Sequence, residues 1–193
     1  MYMKKTTLGL AVALMSGAAA ADWTLNNDAS SLYYLTTKNV HVTEMNTFNH
    51  LSGSIDADGA ATVSIDLTSV DTAVEIRDER MREMFFNAAD FPAAKVSLTF
   101  DPAVLEGMEA GSRVVMDDVN AGLTLHDITR EIKAGLVVVG LQDGVQVSSL
   151  KPIVVRADDF GLAAGVEALR AIVGLDSITN NAPVSFTFVF DRD

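Results

Sequence analysis

The sequence predicts an all-β domain, a sandwich or barrel of about eight to ten antiparallel strands. Two observations carry this: apolar and polar residues alternate with period two over short segments, and Asp-Gly pairs fall between the alternating runs. "ATVSIDL" sets Val63, Ile65 and Leu67 against Thr62, Ser64 and Asp66. "KVSLTF" sets Val96, Leu98 and Phe100 against Lys95, Ser97 and Thr99. "VSFTFVF" puts Val184, Phe186, Phe188 and Phe190 on one face. Successive strand residues point to opposite faces, so such runs read as half-buried strands.

In chain order, the first segment is a leader. A basic start (Lys4, Lys5), an apolar run from Leu8 to Met15 and small residues up to Ala21 make a secretory signal peptide over 1–21. Cleavage is expected after Ala21, and a retained anchor is the alternative, although the apolar run falls short of the ~20 residues that cross a bilayer as a helix. Removing 21 of 193 residues leaves 172, enough for one domain over 22–193 with a sizeable core. Loss of the two lysines moves the formal charge from −12 to −14. A chain so acidic is repelled by nucleic acid and by anionic membrane surfaces. It contains no cysteine, hence no disulfide framework, no thiolate chemistry and no cysteine to carry a lipid anchor. The expected location is the periplasm, with the cell exterior second.

Further strands are expected at 31–37, 48–55, 113–119, 121–126 and 131–140, and in two pieces of 145–155. Asp58-Gly59 and Asp143-Gly144 read as type I′ hairpin turns. Two segments break the β pattern. Met81, Met84 and Phe85 recur at i, i+3 and i+4, one face of a helical turn, with Asp78 placed to cap it and Pro92 to end it. In "VEALRAIVG", Val166, Leu169 and Val173 share a face and Gly174 is placed to stop the helix.

Catalytic signatures are missing from the sequence. It contains no G-x-S-x-G, Walker loop, G-x-G-x-x-G or H-E-x-x-H. His41, His50 and His126 have no second histidine at helical spacing, and His126-Asp127, as neighbours in a strand, would face opposite ways. Asp117-Asp118 and Asp158-Asp159 lack the alternating oxygens that calcium requires and read as turn and surface residues. No catalytic or metal-binding residue is assigned. An apolar lining and an apolar core have the same composition, so alternation leaves open whether a barrel is packed or holds one small ligand.

The segment "SVDTAVEIRDERMREMFFNAADFPAAKVSLTF", through Thr72, Arg77, Asp78, Met81, Arg82, Phe85, Phe86, Asn87, Phe91 and Pro92, resembles the YceI-like family of exported polyisoprenoid-binding proteins. "DWTLNNDASSLYYLTTK", "FNHLSGSI", "GLTLHDITREI" and "VRADDFGL" resemble other motifs of that family and fall in its order, from Trp23 to Phe190. Asp127 departs from the family's glycine, and "AAGVEALRAIVGLDSITNNAP" is longer than in many members. The resemblance implies an extended, lipocalin-like antiparallel β-barrel of about eight strands with short helical insertions. It also implies a tunnel for a long apolar lipid such as a polyisoprenoid or isoprenoid quinone, no required cofactor, and a homodimer.

Under that resemblance the tunnel would be lined by Phe48, Val63, Ile65, Leu98, Phe100, Leu123, Leu125, Phe160, Phe186 and Phe188. Met81, Met84, Phe85, Phe86 and Phe91 would line or close it. Arg77, Asp78 and Arg82 read as a polar clasp holding the charged excursion against neighbouring strands, a task suited to the forked guanidinium. Two other readings stay open: an enzyme acting on a bound apolar substrate around His126, Asp127 and Arg130, and a ligand-free structural or stress-response protein whose interior is ordinary core.

Overall fold

The computed structural model describes residues 21–193, so the expected signal peptide falls almost wholly outside the described residues. Among the described residues twelve strands form: β1 Ala21–Leu25, β2 Ser31–Lys38, β3 Val42–Phe48, β4 Leu51–Asp56, β5 Ala60–Asp66, β6 Val70–Asp71, β7 Ala93–Thr99, β8 Arg113–Leu125, β9 Ile128–Gly140, β10 Gly144–Ser149, β11 Ile153–Arg156 and β12 Asn181–Arg192. The two excursions form helices α1, Glu75–Arg80, and α2, Ala163–Ile172.

Eight strands close a ring in the order β1-β4-β5-β7-β8-β9-β10-β12. It is closed by β12 returning to β1, with Trp23 opposite Arg192 and Leu25 opposite Phe190. The Arg192 guanidinium lies 4.6 Å over the Trp23 ring at this seam. The first half of β12 pairs instead with β2 and β11, and β3 and β6 continue from β2 as a flap beyond the ring. All these pairings are antiparallel. The expected eight-stranded barrel with short helical insertions is what the chain forms.

Several local expectations change. The segments 113–119 and 121–126 are one strand, β8, whose register shifts between Met116 and Val119. Asp117 and Asp118 are therefore exposed residues of a bulge rather than of a turn. The expected strand 48–55 is the end of β3, a turn and β4. Most of β3 escapes the alternation rule because its inward residues, Glu44 and Asn46, are polar while Met45 is 65% exposed.

The turns also differ. His126 and Asp127 are not strand neighbours: with φ of 53° and 57° they form the tight two-residue link between β8 and β9. Asp127 thus takes a left-handed conformation that aspartate tolerates better than most residues. Asp58-Gly59 is not a type I′ pair, since only Gly59 has positive φ, at 79°, and the link between β4 and β5 has three residues. At Asp143-Gly144 neither residue has positive φ, and Gly144 opens β10. It is glycine for a different reason: a Cβ there would stand 2.3 Å from the Phe190 carbonyl oxygen.

Gly144→Ala should therefore force β10 and β12 apart and cost about 1–3 kcal/mol. Urea unfolding should show a lower midpoint with an unchanged slope.

An apolar cavity inside the barrel

The interior is hollow. A cavity of about 630 Å³ runs along the barrel, within the ~300–1,000 Å³ usual for small-molecule sites. Inward residues of β5, β7, β8, β9 and β12 form its wall, as the period-two pattern requires. Phe186 and Phe188 stack there with centroids 4.3 Å apart. Of the proposed lining residues, all but Met84, Phe91 and Phe160 lie on this wall.

The physical reason for the first exception is a π-helical turn at Met81–Phe85, in which the Phe86 N–H donates to the Met81 carbonyl over 2.9 Å. A wide turn of this kind moves the inward face from i, i+3, i+4 to i, i+4, i+5. Met81, Phe85 and Phe86 then reach the cavity, while Met84 is left 37% exposed. Asn87, at φ 43°, ends the turn in the left-handed conformation. Phe91 packs outside the cavity on His126, with ring centroids 3.9 Å apart. Phe160 is fully buried core away from the wall.

Helix α2 closes the same end of the cavity with Val166, Leu169 and Val173, the face expected for it, and Gly174 stops it at φ 65°. It packs on the π turn at Gly165, where a Cβ would lie 3.0 Å from the Phe85 ring. An aromatic chain joins this end to the strands: Phe85 to Phe86 at 4.7 Å, Phe86 to Phe48 at 5.8 Å and Phe48 to Tyr34 at 5.4 Å.

The polar residues of the excursion converge on Thr72, which is buried. Its N–H donates to Asp78 Oδ1 over 2.8 Å and its hydroxyl donates to the same oxygen. Arg77 donates from Nε to the Thr72 hydroxyl (2.9 Å) and from one terminal nitrogen to the Thr72 carbonyl (2.7 Å). Its other terminal nitrogen donates to Glu44 on β3 over 2.6 Å, and Lys38 on β2 donates to the second Glu44 oxygen over 2.9 Å.

The clasp therefore contains Arg77 and Asp78, as expected from the sequence, but Asp78 ties down the preceding loop rather than capping α1, whose first residue is Glu75. Arg82 makes no side-chain hydrogen bond or ion pair among the described residues; its carbonyl accepts from the Ala88 N–H. Glu44 and Lys38 join the clasp through strand pairing that brings Glu44 to Arg77 across 33 positions, whereas Thr72 is a local partner, five residues before Arg77, that the alternation of charges does not mark.

Burial pushes the Glu44 carboxyl up, but hydrogen bonds from Lys38 and Arg77 outweigh it and hold the group below the usual glutamate range. The Tyr34 phenol, buried and without a hydrogen-bond partner among the described residues, is pushed well up, first by burial and then by the Asp78 carboxylate, against a smaller pull from Arg77. His126, Asp127 and Arg130 sit at the β8–β9 hairpin and none lines the cavity. Among the described residues no cluster of three His, Asp or Glu could hold a metal ion, and no helix is long and apolar enough to cross a membrane.

A closed antiparallel barrel around an apolar cavity of this size is the architecture of a binder of small apolar ligands. The chain belongs to the YceI-like family, whose domain model matches residues 23–190. It is 33% identical to a polyisoprenoid-binding domain from Saccharophagus degradans implicated in plant cell wall breakdown, with a TM-score of 0.87 over 90% of this chain and all of that one. BcnA of Burkholderia cenocepacia shares the fold at 16% identity (TM-score 0.65, 86% of this chain and 98% of that one). So does a Campylobacter jejuni YceI protein at 14% identity (TM-score 0.52, 77% and 85%). No curated protein matches the chain in sequence. The family and its polyisoprenoid-binding member point to binding rather than catalysis.

Arg77→Ala should cost about 2–3 kcal/mol in urea unfolding, because it leaves the Thr72 carbonyl and one Glu44 oxygen without their partner. Since the Glu44 value is depressed when folded, its contribution is complete above its ordinary value of 4.5 and is lost as pH falls through the depressed one. Stability measured between about pH 5 and 3 should fall less steeply in Glu44→Gln. Asp66 and Asp71, also depressed, keep part of the slope.

Proposed function

We propose that this protein is an exported carrier that holds a long apolar lipid, a polyisoprenoid, isoprenoid quinone or relative, inside its barrel and catalyses no reaction on it. The observation that carries this reading is the continuous apolar wall around a hollow of about 630 Å³. A chain of repeated apolar units gains about 0.8 kcal/mol for each buried CH₂, so a long tunnel retains such a ligand without demanding polar contacts along its length. The polyisoprenoid-binding relative from Saccharophagus degradans supports the ligand class. The signal-peptide pattern of residues 1–21 supports export, with the periplasm as destination. A lipid crossing that aqueous space needs such a shelter, and the family resemblance adds pairing of two copies.

The enzymatic alternative has lost its centre, since His126, Asp127 and Arg130 lie off the cavity wall. A ligand-free structural role is disfavoured by the hollow itself, because ordinary cores leave few voids larger than a water molecule.

Mass spectrometry of the organic extract from protein isolated from a periplasm without detergent should show a stoichiometric long-chain lipid. An extract still empty after incubation with isoprenoid quinones and fatty amides would count against the carrier. A second test fills the space. Ala121 is buried on the wall, and Ala121→Phe should lower isoprenoid affinity about tenfold or more while the unfolding midpoint holds or rises. A fall in stability with unchanged affinity would mark the wall as simple core.

A further inference from the structure

The chain carries 26 acidic residues against 14 basic ones, and its cavity wall reverses that balance. Among the described residues the charged members of the wall are Lys38, Arg77, Arg80 and a single acid, Glu44. Glu44 is shared between Lys38 and Arg77. Arg80 is half-buried and makes no side-chain hydrogen bond or ion pair among the described residues. One end of an apolar tunnel in an acidic protein therefore holds an excess of positive charge.

The same end is graded in polarity. The inward row of β2 runs Leu32, Tyr34, Thr36, Lys38, and all four line the cavity. On β3 the register sets Asn46 opposite Tyr34 and Glu44 opposite Thr36. A wholly apolar ligand gains nothing from such a gradient, whereas an amphiphile with a charged end is matched along its length.

We propose that the ligand is an anionic amphiphile, a long apolar chain ending in a phosphate or carboxylate. Its anionic end sits between Arg80, Arg77 and Lys38, and its chain runs inward past Tyr34. Guanidinium forks fit both kinds of oxyanion, and the low-dielectric wall strengthens each contact. Glu44 opposes the ligand's charge, so its removal favours binding. This assignment rests on the lipid-carrier reading and narrows its head group.

The test compares geranylgeranyl phosphate with geranylgeraniol, the same chain without charge, and with inorganic phosphate alone, each titrated into the folded protein. The lipid phosphate should bind about tenfold or more tighter than the alcohol. The preference should shrink as salt rises, fall about fivefold or more in Arg80→Gln and grow in Glu44→Gln. Equal affinity for phosphate and alcohol in the wild-type protein would overturn the head-group assignment alone. Inorganic phosphate competing as strongly as the lipid phosphate would overturn it in favour of a free-anion site. Binding of neither amphiphile would overturn the carrier reading and this one together. Should Arg80→Gln fail to fold, the salt dependence and Glu44→Gln still decide the matter.

Discussion

Eight strands joined edge to edge enclose a cylinder whose width follows from their number and tilt, not from the side chains available to fill it. Ring closure between β1 and β12 imposes that constraint here. Every second residue of the ring then faces inward, and although side chains can fill an interior of this width, the residues on this wall leave the axis open. The need to cover the end of that hollow and the placement of both helices follow. An open sheet with the same residues could have folded its faces together and left no hollow.

Covering that end poses a problem in polarity, and the charged segment before the aromatic run solves it. The residues that must reach inward, Met81, Phe85 and Phe86, follow directly on residues that must stay hydrated or paired. Thr72 resolves the conflict by engaging Asp78 and Arg77 at once, so that one buried hydroxyl anchors both charges. The ion pair to Glu44 then links the helix to the flap, and the wide turn rotates the aromatic pair onto the cavity. Charge and grease are adjacent because one fixes the position of the other.

How much of this could be read from the sequence depended on whether a feature was local. Alternation in β5, β7 and β12 needed only neighbouring residues, and it correctly placed Val63, Leu98 and Phe188 inward. The face and stop of α2 were legible for the same reason. β3 was not, because its inward Glu44 and Asn46 face a polar end that only the assembled barrel creates. Met84 was misplaced because a one-residue widening of a helical turn leaves no mark in the spacing. Gly144 looked like a turn residue, and the contact that requires it comes from a strand over forty positions away, at Phe190. Phe91 and Phe160 are apolar and belong to the family motifs, but neither property says on which side of a wall a ring will stand.

The seam between β1 and β12 also has a consequence in time. Leu25 pairs with Phe190, so β1 cannot complete its second edge until a residue 165 positions further along the chain has been delivered. Contacts between such distant positions form late, because a long loop must first be closed. Hairpins between chain neighbours, such as β4 with β5 or β8 with β9, need no such wait, but the ring has no seam and the cavity no closed wall before β12 joins β1.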